Sequence, residues 1–180
     1  MCCNINDFTP HRAGQHSVFT SAENRCTHVG KNKNRHMIRQ FKVDGEVVAA
    51  GDMSPRCDYL LLNDDAKTSY YIELKGSDLV KAIEQIETTV AMIAPSIPEY
   101  AVLRRIVFRT GTHGIQTRPV LSWKRKHGNT VVIKDLAKDR RTGEFKLPPG
   151  AGPAVFSKIK SPLEAHRILN GKLQVPFFLL

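Results

Sequence analysis

Arg56-Cys57-Asp58-Tyr59-Leu60-Leu61-Leu62, followed after a polar break at 63–68 by Tyr70-Tyr71-Ile72-Glu73-Leu74-Lys75-Gly76, decides how the chain is read. Two apolar, aromatic-rich runs around turn-forming residues predict a β-hairpin. Its charges stand where a plain hairpin needs none. Asp58 opens the first run. Glu73 and Lys75 close the second, two positions apart and so on one face of a strand. Two carboxylates brought together by neighbouring strands make a hard-oxygen site suited to Mg2+ or Mn2+. A lysine beside them can hold a water or neutralise charge on a phosphate. Metal, water and lysine together are the equipment for phosphodiester hydrolysis.

Upstream, Asp44-Gly45 lies between the β-prone runs Phe41–Val43 and Glu46–Val48. That pattern predicts another hairpin, with both turn residues at positive φ, so residues 37–75 read as a meander of about four strands. Downstream, Leu79, Ile83, Ile86, Val90 and Ile93 form an apolar stripe at helical spacing. Ser77 or Asp78 can cap its start, and Pro95 and Pro98 end it. Residues 101–109 read as a further strand, placed by the helical crossover parallel to the one ending at Lys75. Thr130–Ile133 suits an edge strand. Residues 1–17 read as irregular, and Ser21–Arg25 as a short helix capped by Ser21 and stopped by Gly30. His113 falls in a glycine-flanked loop. Trp123, beside Lys124-Arg125-Lys126, either stacks on a base or packs in the core.

The 180 residues carry 27 Lys+Arg against 17 Asp+Glu, a net charge of +10. Such an excess favours a polyanion, nucleic acid before an acidic membrane surface. Lys31, Lys33, Arg35, Arg56, Lys124, Arg125 and Lys126 are the expected phosphate contacts. The length fits one domain over 1–180: a core of about 18–134, a mobile linker at 135–153, and a C-terminal helix with an apolar tail at 154–180. No apolar run approaches the ~20 residues of a membrane span. The N-terminus lacks the basic start and apolar stretch of a signal peptide. A cytoplasmic protein with reduced cysteines and no membrane partner is expected. Cys2, Cys3, Cys26 and His28 lack the C-x2-C spacing of common structural zinc sites.

Asp58, followed fifteen residues later by Glu73-Leu74-Lys75 at a strand end, resembles the PD-(D/E)XK nuclease superfamily of restriction endonucleases, Holliday-junction resolvases and RecB-like nucleases. The resemblance implies an α/β (α+β) fold with a restriction endonuclease-like core, a mixed central sheet of about 4–5 strands flanked by helices. It implies that Asp58, Glu73 and the Leu74 carbonyl bind Mg2+ (or Mn2+), that Lys75 orients the attacking water, and that Gln85 is an auxiliary catalytic residue. Cys57 stands where many members have proline. Many members also carry a further metal-binding acid on an early helix, for which Glu23 is the best-placed residue. The implied function is a metal-dependent nuclease hydrolysing DNA. The alternative is a catalytically degenerate module of the same fold that binds nucleic acid or protein. A homodimer would supply the two sites needed to cut a duplex.

Overall fold

A computed structural model describes residues 3–23, 25–109, 112–135 and 144–146. The chain divides into two compact units, Met1–Gly150 and Ala151–Leu180, and the described residues all belong to the first. The expected C-terminal helix and tail lie outside them.

The strands are β1 (Arg12–Gly14), β2 (Val18–Glu23), β3 (Cys26–Lys31), β4 (Ile38–Lys42), β5 (Tyr59–Asn63), β6 (Thr68–Lys75), β7 (Ala101–Phe108), β8 (Val131–Asp135) and β9 (Glu144–Lys146). The helices are α1 (Leu79–Ile93) and α2 (Arg118–His127). A six-stranded mixed sheet has the order β1-β4-β5-β6-β7-β8, and a second sheet the order β2-β3-β9. β5 and β6 form the expected hairpin, with Tyr59 opposite Ile72. β7 runs parallel to β6, as the crossover through α1 requires. β8 is the edge strand beside β7.

Side-chain alternation sorts the central sheet into two faces. Leu60, Leu62, Tyr71, Ile106 and Phe108 pack with Leu79, Ala82, Ile86 and Ile93 of α1. Tyr59, Leu61, Tyr70, Ile72, Leu74 and Val107 pack instead with Phe19 and Cys26 of the second sheet. Apolar residues on both faces explain why β5 and β6 read as near-continuous hydrophobic runs. Each fully buried Leu or Ile here contributes roughly 1.5–3 kcal/mol. At the start of α1, the Asp78 carboxylate accepts the Lys81 amide at 2.9 Å, and Pro95 follows its last turn.

Several expectations are corrected. Ser21–Glu23 is strand, not helix: Phe19 and Ser21 are buried at a period of two, and Ser21 Oγ accepts the Gln40 amide at 2.9 Å. Gly30 does not stop a helix but lies within β3. Asp44-Gly45 does not join two paired strands. Asp44 has φ −72° and ψ 114°, Gly45 φ 94° and ψ −21°, which is a type II turn needing positive φ only at glycine. The turn closes on itself, with the Val48 amide donating to the Val43 carbonyl at 2.9 Å. The meander therefore has three strands, β4, β5 and β6, and the central sheet six rather than four or five.

Within residues 1–17, β1 pairs with β4. Of the expected linker, Glu144–Lys146 pair in parallel with β3; residues 136–143 and 147–153 lie outside the described set. Among the described residues, no helix is long and apolar enough to cross a membrane.

Candidate functional site

The hairpin register places Asp58 next to Glu73. Tyr59 pairs with Ile72, so one step beyond the last pair brings the start of β5 level with the end of β6. The Asp58 Oδ2 accepts the Leu74 amide at 2.6 Å. The N–H and C=O of one strand residue point to the same edge, so the Leu74 carbonyl faces the side that Asp58 occupies. Glu73 and Lys75 alternate with Leu74 and so share the α1 face with Tyr71.

Lys75 is held from two sides. Its Nζ donates to Glu73 Oε1 at 3.2 Å and to Gln85 Oε1 at 2.5 Å. Gln85 donates in turn to the Arg56 carbonyl at 2.8 Å. One turn further along α1, Thr89 Oγ1 accepts the Cys57 amide and donates to the Gln85 carbonyl, each at 2.8 Å. Helix α1 is thereby fastened to the entry of β5. Gln85 thus bridges Lys75 and the backbone just ahead of Asp58.

Both carboxylates are buried, Asp58 to 6% exposure and Glu73 to 1%. Burial pushes the Glu73 carboxyl well above the usual range, Asp58 adds repulsion, and Lys75 offsets part of the rise. Asp58 is also raised, first by burial and then by Glu23, against the opposing hydrogen bond from Leu74. Glu73 Oε2 has no hydrogen-bond partner, and neither does Glu23 Oε2. Oxygen atoms of Glu23, Asp44 and Asp58 lie within 4.8 Å of one another. Crowded acids with unsatisfied buried oxygens are costly without a cation, so this donor set fits a hard divalent ion.

Glu23 thus reaches the neighbourhood expected of it, from the end of a strand rather than from a helix. Asp44 was not foreseen; the turn at Gly45 brings it there, and only tertiary pairing reveals it.

Of the expected phosphate contacts, Lys31, Lys33 and Arg35 lie away from this site, whereas Arg56 borders it. Lys31 ends β3, which begins at Cys26, whose thiol donates to the Lys75 carbonyl at 3.3 Å. Five strand steps separate the two ends by roughly 17 Å. Lys33 and Arg35 follow in the loop held by Asn32, beside His36 and Asn63 at the opposite end of the hairpin. Arg56 stands at the edge of the acid cluster, with its guanidinium occupied: it donates to Asp44 Oδ1 at 2.8 Å and to the carbonyls of Asp52 and Ser54. Lys124, Arg125 and Lys126 are exposed on α2. Trp123, between α2 and the core, is buried and donates to Glu87 Oε1 at 2.9 Å, an oxygen that Arg104 also holds at 2.6 Å. It packs rather than stacks on a base.

Compared with protein-family models, curated proteins and solved structures, the chain matches none.

Proposed function

We propose that the protein is a divalent-metal-dependent nuclease hydrolysing phosphodiester bonds in DNA, with a restriction endonuclease-like core of the PD-(D/E)XK type. The observation carrying this reading is the convergence of buried Asp58 and Glu73 with Lys75, which Gln85 fixes from the following helix. The order of antiparallel β4-β5-β6, crossover α1 and parallel β7 supports it.

Asp58, Glu73 and the Leu74 carbonyl would hold Mg2+ or Mn2+, with Glu23 and Asp44 beside them. When bound, the ion supplies Lewis-acid chemistry, lowering the pKa of water and neutralising charge on the phosphate. Lys75 has three N–H donors and spends two on Glu73 and Gln85. The third is left to hold a water oxygen or a phosphate oxygen. Holding Lys75 from two sides limits the motion of that third donor, and positioning of this kind accounts for much of catalysis in phosphoryl chemistry.

The test is incubation of plasmid and linear DNA with the purified protein in Mg2+ or Mn2+. Cleavage is expected, with the rate lowered by roughly 10²–10⁴-fold in Lys75→Ala and abolished by chelation. No cleavage, or equal cleavage by Lys75→Ala, would sink the enzyme reading. Mg2+-independent, salt-sensitive DNA binding would then favour the degenerate binding module.

A further inference from the structure

We infer that Arg25, Lys42 and Arg109 form the phosphate-holding rim of this site, so that a nucleic-acid strand crosses the end of the central sheet on the side of the β2–β3 hairpin. The inference rests on the nuclease reading and adds the direction of substrate approach.

The three cations come from separate segments, and the topology brings them to one place. Lys42 ends β4 and pairs with Tyr59, one residue after Asp58. Arg109 follows β7, and its amide donates to the Gly76 carbonyl at 3.2 Å, one residue past Lys75. Arg25 sits in the turn between Glu23 and Cys26 with φ 62°. That turn is anchored to the site end by the Cys26 thiol on the Lys75 carbonyl.

Lys42 and Arg109 also share a face, the one covered by the second sheet, whose β2–β3 turn carries Arg25. Lys42 alternates with Phe41, which packs toward α1, and therefore points toward the second sheet, where its charge acts on Tyr59. Arg109 follows Phe108, which also packs toward α1, and its charge acts on Cys26 of the second sheet. Glu73, Lys75 and Gln85 occupy the opposite, α1 side. Asp58 stands between the two groups.

Arg25 and Arg109 are exposed and Lys42 partly so, and none makes an ion pair among the described residues. This contrasts with Arg56, Arg39 and Arg104, each of which is spent on a carboxylate. Along the sheet order, Lys42 and Arg109 lie on strands three intervals apart, about 14 Å. A polyanion whose scissile phosphate lies over Asp58 would present flanking phosphates to a cation on either side. Without such flanking charges, the crowded acids would repel the strand.

The test is fluorescence-anisotropy binding of a single-stranded DNA oligonucleotide, in Mg2+, across a KCl titration. The Lys75→Ala protein serves as parent, so that DNA stays intact. Neutralising one phosphate-binding cation lowers the slope of log K against log salt by about 0.7. The added changes Arg25→Gln, Lys42→Gln and Arg109→Gln together should lower it by about 2. Lys31→Gln, Lys33→Gln and Arg35→Gln together, at the far end, should leave it unchanged. Should the first triple variant fail to fold, the three single changes carry the test, at about 0.7 each. An unchanged slope in the rim variants, or a fall in the far-end variant instead, overturns the rim while wild-type cleavage leaves the nuclease reading standing. If the wild type neither binds nor cleaves DNA, both fail.

Discussion

The two ends of the β5–β6 hairpin obey different rules. At the turn end, charge is matched. Arg39 grips Asp64 with Nε at 3.0 Å and Nη2 at 3.0 Å, and Tyr100 donates to the same carboxylate at 2.6 Å. Asp65 accepts the Met37 amide at 2.8 Å. At the open end, Lys75 pairs with Glu73 and Arg56 with Asp44, yet Asp58 and Glu73 still repel each other in a buried setting, and Glu23 and Asp44 crowd Asp58 further. One end is built as a stability element would be. The other departs from local optimality where a ligand would restore it, which is how functional sites commonly differ from their scaffolds.

The largest expected effect tests the matched end. Asp64→Ala leaves the Arg39 guanidinium, only a quarter exposed, and the Tyr100 hydroxyl without their main partner. Stability should fall by about 2–3 kcal/mol in urea unfolding, with Mg2+ binding unaltered by calorimetry. A loss of Mg2+ binding would show that the two ends are not separable.

The next effect has the opposite sign. Glu73→Gln removes a charge that burial disfavours, so the metal-free protein should gain on the order of 1 kcal/mol near pH 8. In the wild type, Glu73 holds its proton more tightly folded than unfolded. Between the ordinary carboxylate pKa and the raised folded one, the native state binds more protons, so stability falls as pH rises. Below the ordinary value the contribution is fully present. Thermal melts in chelator should show a decline from acid toward mildly alkaline pH that is shallower in Glu73→Gln. Mg2+ should raise Tm in the wild type and not in the variant. A steeper decline, or equal Mg2+ stabilisation, would break the contrast.

These two ends were unequally legible in the sequence. The hairpin, α1 and parallel β7 follow from local periodicity, and the register of that hairpin brings Asp58 to Glu73. The second sheet was not legible. Val18–Glu23 is short and half polar, and its alternation becomes decisive only once Phe19 and Ser21 are seen to face another sheet. Lys31, Lys33 and Arg35 stand out as a basic cluster in sequence, yet strand direction carries them away from the acids. Arg25, Lys42 and Arg109 are single cations in three segments, and no local pattern marks them. Asp44 escapes for the same reason.

The smallest expected effect separates positioning from stability within the open end itself. Gln85 spans Lys75 and the Arg56 carbonyl, but it lies on an amphipathic helix whose packing rests on Leu79, Ala82, Ile86 and Ile93. Gln85→Ala keeps a strong helix former and removes only the bridge. Stability should change by less than about 1 kcal/mol. The cleavage rate should nevertheless fall by about tenfold, because a lysine freed from one of its two anchors samples orientations away from the reacting centre. The fall should appear in kcat rather than KM, since Lys75 keeps its charge and the rim cations are untouched. A destabilisation matching that of Asp64→Ala, with cleavage unchanged, would make Gln85 a structural tie and leave the open end differing from the turn end in charge alone.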